Sequence, residues 1–156
     1  MRPLFSGVEI LGLKQHHERL AEEAVDRLSP KMLDEDDAVV ASRIVAMLTL
    51  EPPVIDESRL YAVKNGDEIT IHIPFKGDFS LFEIKPSRHR PNPPLGEVDG
   101  KKSEVLLTYR DGGSAPHEQT VRDIKQYLEW LRPEITEMKW LREKVLQQVA
   151  RRKLGR

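Results

Sequence analysis

The amino-acid sequence predicts a single α+β domain, with the strands grouped in the middle of the chain and helices on either side. Apolar residues recur at helical three- and four-residue steps near both ends of the chain. Between these regions they alternate with polar residues, as in half-buried strands. Strands that follow one another favour an antiparallel sheet. Over residues 1–156 we therefore expect a helical segment at 1–53, a sheet at 59–110 and a helix at 117–154.

The first segment is predicted to be an N-terminal helical hairpin. One helix is expected at residues 13–28 and ends before Pro30, because the residue before a proline avoids the helical region. The second is expected at residues 35–50, where acidic residues favour a helix start, and it ends before Pro52.

The middle segment is predicted to be a small antiparallel sheet of about four strands. Asn65-Gly66-Asp67 separates two strand-like runs and is typical of a hairpin turn. In the second run, Ile69 to Ile73, the isoleucines alternate with Thr70 and His72, so His72 is expected to point outward. Residues 79–85 and 105–109 supply the other two strands.

The last segment is predicted to be one long helix, which either kinks at Pro133 or restarts there. Before it, a stiff proline-rich loop is predicted at residues 86–100, between the strands at 79–85 and 105–109. The last segment is expected to be helical over residues 117–154. The apolar stripe of this helix is longer than a small sheet can cover, and tryptophan is favoured at protein interfaces. We therefore expect an oligomer or partner-protein interface on this helix, formed by Trp130, Met138, Trp140, Leu141 and Val145.

The composition excludes several kinds of site. The chain has no cysteine, which excludes disulfides and Cys-ligated zinc or iron–sulfur clusters. No apolar run is long enough to cross a membrane, so we expect a cytoplasmic protein without membrane contact. The motifs of P-loop, dinucleotide-binding and nucleophile-elbow enzymes do not occur. No catalytic residue, metal ligand or cofactor is predicted.

The charges are unevenly distributed along the chain. Residues 1–58 carry 6 Lys and Arg against 12 Asp and Glu, whereas residues 139–156 carry 7 against 1. Such asymmetry is informative about partners. Nucleic-acid binding is one alternative function, with contacts from Arg88, Arg90, Arg142, Lys144, Arg151, Arg152 and Lys153. The basic tail could equally complement the helix C-terminus, or pair with the acidic head within the chain or across a dimer.

A metal-dependent nuclease is the other alternative. Glu83-Ile84-Lys85 has the Glu-x-Lys spacing that places a carboxylate and a lysine on one face of a strand, and Asp67 or Asp78 could add a second metal ligand. Glu-x-Lys is also common on solvent-facing strands, where the pair contacts its cross-strand neighbours. The preferred function remains a non-enzymatic interaction or oligomerisation module.

The central segment also resembles known sequences. Pro74-Phe75-Lys76-Gly77-Asp78, Leu81-Phe82, Pro86-Ser87 and Asn92-Pro93-Pro94 are followed by Tyr127-Leu128-Glu129-Trp130. This pattern is similar to one in uncharacterised bacterial proteins that are associated with defence or mobile gene neighbourhoods. The resemblance covers residues 70 to 130 and implies no catalytic residues. It implies a bacterial protein, regulatory or defensive, and a module of something larger.

Overall fold

The chain begins with short strands before its first helix. The computed structural model describes residues 1–111, 117–136 and 139–155. Its strands are β1 (Arg2–Pro3), β2 (Val8–Glu9), β3 (Val54–Ile55), β4 (Tyr61–Asn65), β5 (Glu68–Lys76), β6 (Ile84–Lys85), β7 (Leu95–Asp99) and β8 (Glu104–Arg110). Its helices are α1 (Ile10–Asp26), α2 (Pro30–Leu33), α3 (Asp37–Leu48), α4 (His117–Thr136) and α5 (Lys139–Leu154), with short 3₁₀ helices at Glu57–Arg59 and Phe79–Glu83.

The chain divides into two compact units. The sheet unit consists of Met1–Ile10 and Glu51–Pro133, and the helical unit of Leu11–Leu50 and Glu134–Arg156. Each unit has its own apolar core. Among the described residues, no helix has the length and apolarity needed to cross a bilayer.

The sheet unit is built on an antiparallel sheet of six strands. Its order is β1-β7-β8-β5, and both β3 and β4 pair with the remaining side of β5. Residues on the inner face of β5 and β8, such as Ile73 and Val105, are buried in one cluster with Ile124 and Leu128 of α4. The sheet is therefore covered by α4 on its inner face, while the opposite face forms the candidate site below.

The predicted turn between β4 and β5 is confirmed. Asn65 pairs with Glu68, so the loop consists of Gly66 and Asp67 alone. Gly66 has a φ of +65°, which glycine adopts at little cost and which the first loop position of a type II′ turn requires. This turn fixes the register of the whole hairpin.

The predicted N-terminal helical hairpin is wrong, because the chain starts with strands. Arg2 lies opposite Gly96 in the antiparallel pair of β1 and β7, and β2 pairs with β6 in parallel. Leu4 and Phe5, which follow β1, are buried in the core of the sheet unit, and the Phe5 ring stacks on Tyr127 at 5.0 Å. Burial of these two side chains holds the preceding residues alongside β7.

The sheet also differs from the predicted four strands. The alternation at residues 79–85 predicts a strand, but Phe79–Glu83 is a 3₁₀ helix. Leu81 and Phe82 are consecutive and both fully buried, which a strand with one buried face cannot provide. The additional strands are β7, which occupies part of the predicted proline-rich loop, and β1 and β3, which have only two residues each.

The helical unit contains the residues of α1 from Leu11 onward, together with α2, α3 and α5. Its buried core contains Ala21 and Val25 of α1, Val40, Ala41 and Ile44 of α3, and Leu141, Val145 and Val149 of α5. The predicted long C-terminal helix is described as α4 and α5, and Pro133 lies inside α4. The apolar stripe, too long for the sheet alone, is therefore divided between the cores of two units.

Candidate functional site

The open face of the sheet carries a row of side chains that crosses four strands. Tyr61 lies opposite His72, His72 opposite Leu106, and Leu106 opposite Glu97. Residues that are directly opposite share a face. Because Ile71 and Ile73 point into the core, this row lies on the other side of the sheet.

A polar cluster of Tyr61, His72 and Glu104 lies at one end of this row. The Tyr61 hydroxyl donates a hydrogen bond of 2.8 Å to Oε2 of Glu104, and Nδ1 of His72 lies 3.2 Å from Oε1. The Tyr61 and His72 rings stack at 4.4 Å. Because an ionised carboxylate only accepts hydrogen bonds, Nδ1 is the nitrogen that carries the proton. In the described part of the chain, Nε2 of His72 makes no hydrogen bond.

The cluster perturbs the acidity of its members. Burial of Glu104, which is 7% exposed, acts to raise its pKa. The hydrogen bonds from Tyr61 and His72, with the electrostatic interactions of His72 and Lys102 with the carboxylate, outweigh burial and lower the pKa below its ordinary value. The hydrogen bond to Glu104 is the main reason why the pKa of Tyr61 is raised. Glu104 is therefore held as a carboxylate within a nearly buried site.

Replacing Glu104 with glutamine is expected to make the free energy of unfolding depend less on pH at acidic pH. The unfolded chain takes up a proton near the ordinary pKa of 4.5, whereas the folded chain does so only at lower pH. The stabilisation by Glu104 is therefore present above pH 4.5 and is lost as the pH falls through the folded-state pKa. Urea unfolding from pH 7 to pH 3 measures this difference.

The control for this experiment is Glu68→Gln, which removes an exposed carboxylate from β5. Its free energy of unfolding should change with pH in the same way as that of the unmodified protein. Parallel curves for Glu104→Gln and the unmodified protein would show that the cluster does not couple protonation to folding.

A hollow of about 600 Å³ lies beside the cluster. Phe79 and Leu106 supply apolar surface, while Glu97, Asp99 and Lys101 supply charge. The hollow adjoins the cluster, because Leu106 lies opposite His72 and Asp99 lies opposite Glu104. An apolar surface beside a few fixed polar groups is the usual composition of a binding site.

A second group of polar residues surrounds Trp130. The guanidinium carbons of Arg88 and Arg90 lie 5.0 and 5.5 Å from the centre of the Trp130 ring, within the range of a cation–π interaction. Arg90 also forms an ion pair of 3.2 Å with Asp123. The structure thus brings together Arg88 and Arg90, predicted as nucleic-acid contacts, and Trp130, predicted as an interface residue.

The other predicted interface residues lie in or against the helical core. Leu141 and Val145 are 0% exposed, so in this structure they are used within the chain and present no surface to a partner. Trp140 packs against the same core, and its Nε1 is buried without a hydrogen-bond partner among the described residues. Met138 lies outside the described residues.

Part of the basic tail contacts the acidic head inside the helical unit. Lys144 lies 3.9 Å from Glu18, and Arg142 donates to the Ser42 hydroxyl at 3.5 Å. Lys153 forms an ion pair with Asp37 and a hydrogen bond to a backbone carbonyl. Arg151 is exposed and Arg152 is half-buried. The geometry therefore favours pairing with the acidic head for two of these five residues, Lys144 and Lys153.

The residues of the nuclease alternative make separate contacts. Glu83 lies at the end of the 3₁₀ helix and pairs with Arg2 at 2.9 Å. Asp78 accepts a hydrogen bond from the Glu51 backbone. Within residues 1–111, 117–136 and 139–155, no three acidic or histidine side chains are grouped so as to hold a metal ion.

Comparisons with protein-family models, with curated proteins and with solved structures gave no match. Functional proposals for this chain therefore depend on geometry. His72 lies on the outer face, as the alternation of its strand predicts, but Tyr61 and Glu104 were not predicted as its partners. The register of the hairpin could have revealed one of them, because pairing Asn65 with Glu68 places Tyr61 opposite His72.

Proposed function

We propose that the protein is a non-enzymatic interaction module that forms a homodimer by pairing β4 with β4 of a second copy. The proposal rests on the exposed edge of β4. Among the described strands β4 pairs only with β5, and all five of its residues are exposed. A free edge presents unpaired backbone donors and acceptors that can bind another strand. This edge replaces the C-terminal helix as the proposed interface, because Leu141 and Val145 are buried in the helical core.

The register of the hairpin identifies the backbone groups that are available. Asn65 and Glu68 flank a two-residue loop and therefore form a hydrogen-bonded pair. Such pairs alternate along antiparallel strands, so Val63 and Tyr61 also bond to β5. The hydrogen bond from the Asp56 N–H to the Pro74 carbonyl agrees, since it places the even-numbered residues of β5 on this side. The N–H and C=O groups of Ala62 and Lys64 consequently point away from the sheet.

These groups suit a two-fold axis. Ala62 can pair with Lys64 of the partner subunit, and Lys64 with the partner's Ala62, when the two Val63 residues meet at the axis. Tyr61 and Val63 are each 45% exposed, so the pairing would cover apolar surface. A lysine often protects an edge strand, but the Lys64 amine pairs with Asp111 of its own chain at 2.5 Å. Its charge is therefore compensated.

Lys64→Pro is expected to weaken the dimer at least tenfold, because each copy loses an outward N–H that donates across the interface. About 1 kcal/mol for each of these hydrogen bonds corresponds to such a change. The hairpin itself should persist, since that N–H does not bond to β5. Light scattering and sedimentation over a range of concentrations measure the dissociation constant.

Lys64→Ala is the matched control. It removes the same ion pair with Asp111 but keeps the backbone N–H, so its dimer should resemble that of the unmodified protein. A monomer at all concentrations, or a Lys64→Pro dimer of unchanged affinity, would contradict the proposal.

We place the module in the cytoplasm, where a chain without cysteine functions in a reducing environment.

A further inference from the structure

The proline loop, residues 86–94, is fixed to α4 by a buried tyrosine. The Tyr127 hydroxyl accepts a hydrogen bond of 2.8 Å from the Arg90 N–H and donates one of 3.1 Å to the Arg90 carbonyl. The Tyr127 ring is buried in the sheet core. Within the loop, Nδ1 of His89 lies 3.1 Å from the Pro86 carbonyl, and prolines restrict the backbone further. Arg88 and Arg90 are therefore presented from a preorganised loop.

Three arginines share this surface with one contacting carboxylate. Arg90 pairs with Asp123, and Gln119 donates to the same carboxylate oxygen at 2.9 Å. Arg122 donates to the Gln119 side chain at 3.0 Å. Arg88 makes no ion pair with any described residue. The surface around Trp130 therefore retains positive charge.

We propose that this surface binds single-stranded nucleic acid, with Arg88, Arg90 and Arg122 contacting phosphates and the Trp130 ring stacking on a base. A guanidinium presents several donors that match phosphate oxygens and also lies flat on aromatic rings. An arginine that rotates towards a phosphate exposes the indole face that it covered. Basic residues around an aromatic side chain are the usual means of binding single strands without sequence preference.

The arrangement favours a nucleic-acid strand over a phosphorylated peptide. Arg90 and Arg122 are connected along α4 through Asp123 and Gln119, so the cations are spread along the helix and do not converge on one phosphate. The tryptophan at the end of this series adds a stacking surface, for which a phosphate group alone has no use. Binding of a phosphorylated peptide in place of a nucleic-acid strand would therefore contradict the proposal.

Intrinsic fluorescence provides a direct test, because the chain has only two tryptophans. In a Trp140→Phe background, Trp130 is the only tryptophan, and titration with a single-stranded oligothymidylate at low salt should quench its emission. The association constant should fall steeply as salt is added. In Arg88→Ala and Arg122→Ala, the affinity should fall several-fold, and the salt dependence should decrease by about 0.7 in log–log slope for each phosphate that the protein no longer neutralises.

Tyr127→Phe tests whether the loop must be held in place. It keeps the buried ring and removes the hydroxyl that holds Arg90, so affinity should fall although every cation is retained. Unchanged affinity in this variant would overturn the role of the fixed loop.

Arg110→Ala is the matched control, since it removes one exposed arginine from the same unit and should leave binding unchanged. Arg151→Ala tests the basic tail in the same way. An equal loss in Arg110→Ala or Arg151→Ala, no binding at low salt, or binding of a phosphorylated peptide but not of the oligonucleotide would overturn the proposal. Binding by Lys64→Pro separates this surface from the dimer edge, because the monomer should bind as well as the dimer.

Discussion

Gly77→Ala is expected to lower the free energy of unfolding by about 3 to 4 kcal/mol, because the position combines backbone strain with a steric clash. Gly77 has a φ of +112°, which residues with a side chain rarely adopt. A Cβ placed there would lie 2.7 Å from the Pro52 carbonyl oxygen and 2.9 Å from that of Glu51. Glu51 is held in place, since the Asp78 N–H donates to its carbonyl and the Asp78 carboxylate accepts from its N–H.

Gly66→Ala is the control for this substitution. Gly66 also has a positive φ, of +65°, but a Cβ there meets nothing within 4 Å. The expected loss is about 1 kcal/mol, the cost of the left-handed conformation alone. Urea unfolding of both variants measures the difference, and equal losses would contradict the steric explanation.

Phe82→Ala is expected to cost about 3–5 kcal/mol, the range for removing a buried aromatic ring from a core. Its side chain is 0% exposed. The ring lies 4.9 Å from that of Phe75 in an edge-on arrangement and 5.8 Å from that of Phe5. Its removal leaves a cavity between side chains that hold the N-terminal residues against the sheet.

Phe79→Ala is the control, since it removes the same side chain from the same 3₁₀ helix. Phe79 is 55% exposed, and we expect a loss below about 1 kcal/mol. Thermal and urea unfolding compare the two variants. If Phe79→Ala cost as much as Phe82→Ala, burial would not explain the effect.

The elements that the sequence predicted correctly are determined by residues that are close together in the chain. The β4–β5 turn depends on Asn65-Gly66, and α1 and α3 follow from helical spacing and from the prolines after them. The errors have non-local causes. The two residues of β1 carry no alternation, and they lie in the sheet because Leu4 and Phe5, next in sequence, are buried against residues far along the chain.

The candidate sites show the same division. Arg88 and Arg90 could be recognised as a basic pair in a stiff loop, but only the fold places them over Trp130. His72 could be assigned to an outer face, whereas Glu104 reaches it only through the pairing of β5 with β8. The basic tail could be recognised from its charge, but its ion pairs with Glu18 and Asp37 depend on how α5 packs within the helical unit.

The division of each unit into two chain segments has a consequence for synthesis on the ribosome. The residues of the sheet unit are complete once Pro133 has emerged, whereas Leu11–Leu50 lack the α5 part of their core until Glu134–Arg156 follows. A nascent chain can therefore form the β-rich unit while α1 and α3 still expose Val25, Val40 and Ile44. During that interval these side chains are surfaces for a chaperone, and the exposure ends once α5 has been synthesised and packs against them.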